Sequence, residues 1–336
     1  MRTVITGGCG FIGKALASHL SKTMDQTDEL ILVDTMQHHG NNMDADVLSF
    51  SGVKIVKANL ADQSSLKSIP TPVDRVYHLS AILGVSVVEE DPIRVMKNNT
   101  LSTMHLLDWF GKNQAKGARF LFSSSSEVYS GASLAGFDLP IPTPENIPVV
   151  LANLDNPRFC YALTKIWGEA YCNYQALKNN VFALSVRYHN IYGPGMGYDH
   201  VIPQVILRIL SKENPFRIIA PQQTRSFCWI DDAVKATQLV MESEKVGPGM
   251  VVHIGNEVGE IKIEKLYEML FEICDWRPEE ILIIQEQKGS VSRRCPDTEK
   301  LRQVTNYTPN TSLQIGIEKT VSWYKKQYNN TTDNCN

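Results

Sequence analysis

None of the seven cysteines, Cys9, Cys160, Cys172, Cys228, Cys274, Cys295 and Cys335, stands in Cys-x-x-Cys spacing with another. Odd in number and scattered, they read as reduced thiols, which excludes a disulfide framework and a zinc ribbon. No apolar run approaches the ~18 residues of a membrane span, so no membrane partner is expected. The formal net charge is −3, and without a local basic patch there is no electrostatic footprint for nucleic acid. No segment repeats. No metal is expected either: His38 and His39, in the polar stretch from Met36 to Asp46, have no companion ligands at metal-binding spacing and read as solvated. The first strand pattern begins at residue 2, which leaves no length for a signal peptide and makes a cytoplasmic protein the expectation.

What is present is an ordinary globular composition, 43% hydrophobic and 21% charged over 336 residues, enough for about two domains. The beginning organises the rest. The β-branched run Arg2-Thr3-Val4-Ile5-Thr6 meets Gly7-Gly8-Cys9-Gly10-Phe11-Ile12-Gly13, and a helical pattern follows through Leu16, Ala17 and Leu20. Glycines at three-residue spacing between strand and helix allow a tight turn, close approach of backbone N–H groups to a pyrophosphate, and tight helix packing. A second apolar run, Leu30 to Val33, ends in Asp34 about 20 residues on, where a carboxylate hydrogen-bonds an adenosine ribose.

Strands at Val53–Lys57, Val73–Ala81, Ala118–Phe122 and Phe182–Tyr188 alternate with helical patterns, including one from Pro92 to about Lys116 that Gly117 ends. This rhythm predicts an α/β fold, a doubly wound parallel sheet of Rossmann type with ligands outside the carboxyl ends of the strands. At one such end stand Ser123-Ser124-Ser125-Ser126-Glu127-Val128-Tyr129, four hydroxyls and a carboxylate. Residues 131–158 carry five prolines and predict an irregular excursion over the site. A helix then carries Tyr161-Ala162-Leu163-Thr164-Lys165. Spacing of i, i+4 puts the phenol and ammonium on one face, and a neighbouring cation lowers a phenol pKa from about 10 toward a useful base. Tyr174 and Lys178 repeat the spacing but point roughly 140° away, so Tyr174 reads as packing and Tyr161 as chemistry.

Beyond Tyr188 the elements shorten, which predicts a smaller C-terminal α/β part. The expected division is residues 1–188 with a return over about 225–256 for the dinucleotide, residues 189–224 and 257–330 for substrate, and a polar tail over 331–336.

Gly7-x-x-Gly10-x-x-Gly13, Asp34, Ser125 with Glu127-Val128-Tyr129, Tyr161-x-x-x-Lys165, Arg187-Tyr188-His189-Asn190-Ile191-Tyr192-Gly193-Pro194 and Arg294-Cys295-Pro296-Asp297 together resemble the extended short-chain dehydrogenases/reductases. Within them, the likeness is to the NAD-dependent nucleotide-sugar epimerase/dehydratase family, from residue 2 to about Tyr324. The resemblance implies NAD as cofactor, bound by Gly7, Gly10, Phe11, Ile12 and Gly13 at the pyrophosphate, Asp34 at the ribose, and Asn59 and Leu60 at the adenine. Leu79, Ser80, Ala81 and Asn99 would line the nicotinamide side. Ser125, Tyr161, Lys165 and Glu127 would be catalytic, with Tyr161 the base and Lys165 also holding the cofactor. Ser126, Asn190, Val201, Arg225 and Arg294 would bind a nucleotide-diphosphate sugar, a UDP-sugar by preference. A homodimer through paired helices, including the one bearing Tyr161, is a further implication.

In such enzymes the C4 hydroxyl is oxidised to a ketone, after which the paths diverge. Return of the hydrogen to the other face gives a 4-epimerase, the reading favoured from the sequence. Loss of a C5 carboxylate gives a UDP-glucuronic acid decarboxylase, which Glu127 and Arg294 could serve. A 4,6-dehydratase ranks third, since Ser126-Glu127 stands where Asp-Glu is usual. A non-catalytic NAD-binding regulator is the remaining reading, against which the complete Ser125, Tyr161 and Lys165 set argues. His189 replaces a phenylalanine common at its position, and Gly195 an arginine.

Overall fold

The computed structural model describes residues 1–37, 45–151, 153–285 and 291–333; His38, His39 and Cys335 lie outside them. Seven strands form the central sheet. They are β1 (Arg2–Thr6), β2 (Glu29–Asp34), β3 (Val53–Lys57), β4 (Val73–His78), β5 (Gln114–Ser125), β6 (Ala183–Tyr188) and a seventh at Val251–Ile254. From one edge the order is Val251–Ile254, β6, β5, β4, β1, β2, β3, and every pair is parallel. The order reverses between β1 and β4, which opens a crevice at their carboxyl ends.

Helices cover both faces, so the inner strands are continuous apolar runs. Successive residues point to opposite sides: Ile5 joins Leu16 and Leu20 of α1 (Phe11–Ser21), while Val4 joins Leu106, Leu107 and Phe110 on the other face. Each such side chain contributes about 1.5–3 kcal/mol by leaving water. After α2 (Ala45–Ser49) and α3 (Val85–Glu90) comes α4 (Pro92–Asn113), started by Asp91, whose Oδ1 accepts from Arg94 N at 2.9 Å, with Pro92 in the first turn. The predicted extension of this helix to Lys116 does not occur. Backbone from Gln114 is extended and pairs with Val73, and the register shifts before Arg75 meets Arg119. Gly117, at φ +78°, lies in that irregular stretch of strand and not at a helix end.

Among its described residues, the excursion after β5 holds a 3-10 turn at Ser126–Tyr129 and one short α-helix, α5 (Ser130–Leu134), before α6 (Arg158–Asn179). It is pinned: Thr143 N donates to Cys295 O at 2.9 Å, and Asp297 N to Thr143 O at 2.9 Å. The remaining helices are α7 (Val201–Leu210), α8 (Ile230–Glu242), α9 (Ile263–Cys274), α10 (Glu299–Thr305) and α11 (Leu313–Asp333). Small sheets join them. One pairs Phe216–Ile219 with Ile281–Ile284; another sets Thr224–Arg225 between Ile261–Lys262 and Arg293–Arg294. No helix among the described residues is long and apolar enough to cross a membrane.

Candidate active site

The glycine turn is shaped by close approach. Gly7 has φ +66°, and a Cβ there would lie 2.9 Å from Ser80 backbone; a Cβ on Gly13 would lie 2.1 Å from Gly7 O. Only hydrogen fits at either place. Gly10 caps α1 without a side-chain bond, so the first N–H groups of the helix, those of Phe11, Ile12 and Gly13, are left for an anion. Asp34 closes the turn from β2: Oδ2 accepts from Cys9 N at 3.1 Å, Oδ1 from Met36 N at 2.9 Å. Ala58 N donates to Asp34 O at 2.9 Å, which brings Asn59 and Leu60 alongside. A glycine cradle, an uncapped helix start and a carboxylate at the next strand end fit a dinucleotide.

The crevice wall past β4 is held from behind. His78 accepts and donates with Thr6 Oγ1 (2.8 Å) and Thr103 Oγ1 (3.0 Å), and Ser80 Oγ lies 3.1 Å from Thr6 Oγ1. Asn99, expected on the nicotinamide side, brackets Ile82 with its amide, Nδ2 donating to Ile82 O at 2.9 Å and Oδ1 accepting from Ile82 N at 2.8 Å, and so braces the backbone that follows Leu79-Ser80-Ala81.

Ser125 ends β5; its Oγ accepts from Glu127 N at 3.2 Å and lies close enough to the Tyr161 phenol to favour its ionised form. Lys165 lies one turn along α6, buried, with Nζ donating to Ser123 O at 2.7 Å and standing 5.5 Å from the Tyr161 ring centre. The close seating of α6 on β5 depends on Gly168, where a Cβ would meet the Phe122 ring at 2.3 Å; nothing in residue spacing marks that glycine. Burial raises the Tyr161 phenol, the Glu127 charge raises it further, and the Ser125 hydroxyl only partly opposes them. The expected lowering by Lys165 is not found, because burial brings the ammonium itself down to about 7 and its Nζ is turned to Ser123. Tyr174 does not pack within the single chain, where it is 61% exposed on the outer side of α6.

Glu127 is met by Arg294, whose Nη1 and Nη2 donate to the two carboxylate oxygens, and Nη2 also reaches Ser130 Oγ at 3.1 Å. Arg294 and Arg225 are register partners on neighbouring strands, so the two cations rise side by side. Arg225 is steadied by Gln223 Oε1 and Thr224 O, both at 2.7 Å. Asn190, at φ +42°, gives its amide to Ser226 O at 2.9 Å, so it ties down the residue that follows the Thr224–Arg225 strand. Val201 opens α7 while Ile202 is buried core. Ser126 is buried beside Ser130, His189 and Arg294 around a small cavity. Beneath the site, Glu169 pairs with Arg187 and accepts from Ser124 Oγ; Arg187 also donates to Tyr129 Oη, which lies 2.7 Å from His253 Nε2.

Residues 3–255 match the family model described as the NAD dependent epimerase/dehydratase family. The UDP-N-acetyl-alpha-D-glucosaminuronate decarboxylase of Bacillus cytotoxicus is 30% identical over 333 residues, covering 97% of this chain and 98% of that protein. UDP-glucuronic acid decarboxylase 4 of Arabidopsis thaliana is 28% identical, covering 97% and 69%. Among solved structures, a UDP-glucose 4-epimerase of Thermotoga maritima superposes with TM-score 0.81 at 25% identity, covering 98% of this chain and all of that one.

Proposed function

The chain belongs to the NAD-dependent epimerase/dehydratase family, and from that premise we propose that it removes the C5 carboxyl group of a UDP-hexuronic acid as CO2. The observation that carries this reading is the Glu127–Arg294 pair, set beside Ser125 and Tyr161. Inversion at C4 needs a base, a hydroxyl and the lysine. A carboxylate and a guanidinium at the same rim are additional equipment, suited to a substrate that carries its own carboxylate. The names of the relatives at 28–30% identity support the same choice.

In this mechanism Ser125 and Tyr161 hold the C4 hydroxyl, and Tyr161 Oη takes its proton. When bound, NAD+ supplies a two-electron acceptor that makes the C4 alcohol a ketone and later returns the electrons, together with a positive ring that favours the Tyr161 phenolate. The ketone is β to the C6 carboxylate. Arg294 exchanges Glu127 for that carboxylate and orients it; the C5–C6 bond breaks, CO2 leaves, and the electron pair moves into the C4 ketone as an enolate. Glu127 relays a solvent proton to C5, and Tyr161 returns its proton to the C4 oxygen when the ketone is reduced. Residues 189–224 and 257–330, with Asn190, Val201 and Arg225, hold the nucleotide diphosphate. The same reading includes a homodimer through α4 and α6, whose Ile93, Met96, Tyr174 and Leu177 are exposed in the single chain.

Incubation with UDP-glucuronic acid, UDP-N-acetylglucosaminuronic acid and UDP-glucose in D2O decides the matter by mass and proton NMR. Loss of CO2 with one deuterium at C5 is the expected result. A C4-inverted sugar of unchanged mass and no deuterium would instead establish 4-epimerisation, the second reading, which the superposition on the Thermotoga maritima enzyme favours.

A further inference from the structure

His189 follows β6 and is 3% exposed, yet neither its Nδ1 nor its Nε2 has a hydrogen-bond partner. The other two histidines buried in this region differ. His78 has Thr6 and Thr103 at its two nitrogens, and His253 has Tyr129 Oη and the Asp297 carbonyl at 2.7 and 3.0 Å. Buried polar groups nearly always find a partner, so one ring left with neither nitrogen occupied calls for a ligand. The ring is held in place by packing: it stands edge-on to His253 with centres 4.5 Å apart, and Gly255 gives it room, since a Cβ there would lie 2.8 Å from His189 Cβ.

The ring forms part of the wall of the cavity that Ser126, Ser130 and Arg294 also line. Against a largely apolar lining that includes Leu139 and Val291, the two serine hydroxyls, the guanidinium and the imidazole are groups that can meet the oxygens of an anion. Burial, together with the charges of Arg294 and Arg187 and the neighbouring His253, keeps the imidazole neutral. A neutral imidazole carries one N–H.

We propose that His189 is a specificity-determining residue, which donates a ring N–H hydrogen bond to the sugar carboxylate that Arg294 holds. The proposal rests on the decarboxylase reading and adds to it a means of rejecting neutral sugars. A site built to hydrogen-bond a group discriminates strongly against analogues that lack it, whereas phenylalanine at this position would fill the space and recognise nothing.

The test compares wild type, His189→Phe and His189→Asn, each loaded with NADH so that the sugar is not oxidised, by titration calorimetry with UDP, UDP-glucose and UDP-glucuronic acid. His189→Phe should weaken UDP-glucuronic acid by roughly 10- to 100-fold, with UDP and UDP-glucose changed by less than about twofold. His189→Asn keeps an N–H donor and should recover part of the loss. Equal weakening of all three ligands, or of none, overturns the assignment; thermal melts of both variants identify a folding defect, and His189→Asn decides if His189→Phe does not fold. Turnover of the wild type separates the two claims. Product formation with an unaffected His189→Phe removes only the role of His189, while absence of CO2 release removes the decarboxylase reading and this assignment with it.

Discussion

Arg294 grips both carboxylate oxygens of Glu127 across 167 residues of sequence. Glu127→Gln removes the proton relay without removing bulk, so CO2 release should fall roughly 10²–10⁴-fold, the range for loss of an acid or base, with NAD binding unchanged. Radiometric CO2 capture checks this; CO2 release at the wild-type rate by Glu127→Gln would remove the proton-relay role given to Glu127. Arg294→Lys should be nearly as damaging, because an ammonium cannot match the two-pronged contact.

Tyr161→Phe deletes the proton acceptor and should lower C4 oxidation by roughly 10²–10⁴-fold while the fold and NAD affinity persist. Tyr174→Phe, on the exposed side of α6, should be close to silent. Stopped-flow absorbance of NADH reads both, and reversed effects would assign the chemistry to Tyr174.

Lys165 titrates near 7 in the fold because burial disfavours its charge, against 10.5 for the unperturbed group. The unfolded chain therefore binds more protons between about pH 7 and 10.5, and stability from this group rises with pH across that window and is constant below it. Denaturation of the cofactor-free protein and of Lys165→Met should show their stability difference moving in favour of wild type by on the order of 1 kcal/mol per pH unit above about pH 7. A difference independent of pH would mean that the ammonium keeps its proton in the fold.

NAD should bind at least tenfold more tightly than NADP, roughly the effect of one unfavourable charge contact. Asp34 would repel a 2′-phosphate, and Thr35, Met36 and Gln37 supply no cation to receive one. Fluorescence titration with both dinucleotides is sufficient, and equal affinities would contradict the role given to Asp34.

Glu169→Ala leaves the buried Arg187 guanidinium without its carboxylate and should cost about 3–5 kcal/mol. Replacing both partners by apolar residues of similar volume should cost less. Urea denaturation of the single and double variants compares them.

The sheet and the dinucleotide end of the site were legible because their signals are local. Gly7, Gly10 and Gly13 lie in one turn, Asp34 ends the adjoining strand, and Tyr161 and Lys165 share a helix face. What escaped depends on contacts between distant segments. The Asn99 and Asn190 amides face backbone groups of Ile82 and Ser226 that no pattern places beside them. The early end of α4 follows from strand pairing with Val73, which overrode a helical periodicity that continued. Gly168 is an ordinary helix residue until Phe122 packs on it. The phenol of Tyr161 was expected to respond to Lys165, but burial acts on both groups and dominates. Glu127 and Arg294 were each marked by motif, while their union came from the crossing of the excursion by the Arg293–Arg294 strand.

Asp34 anchors the turn through Cys9 and the chain after β2 through Met36. The carboxylate proposed for the ribose is thus the same group that braces the glycine turn proposed for the pyrophosphate. Because these contacts are made within the chain itself, the turn is braced before a cofactor arrives, and association should proceed in a single kinetic phase without a slow loop-closing step.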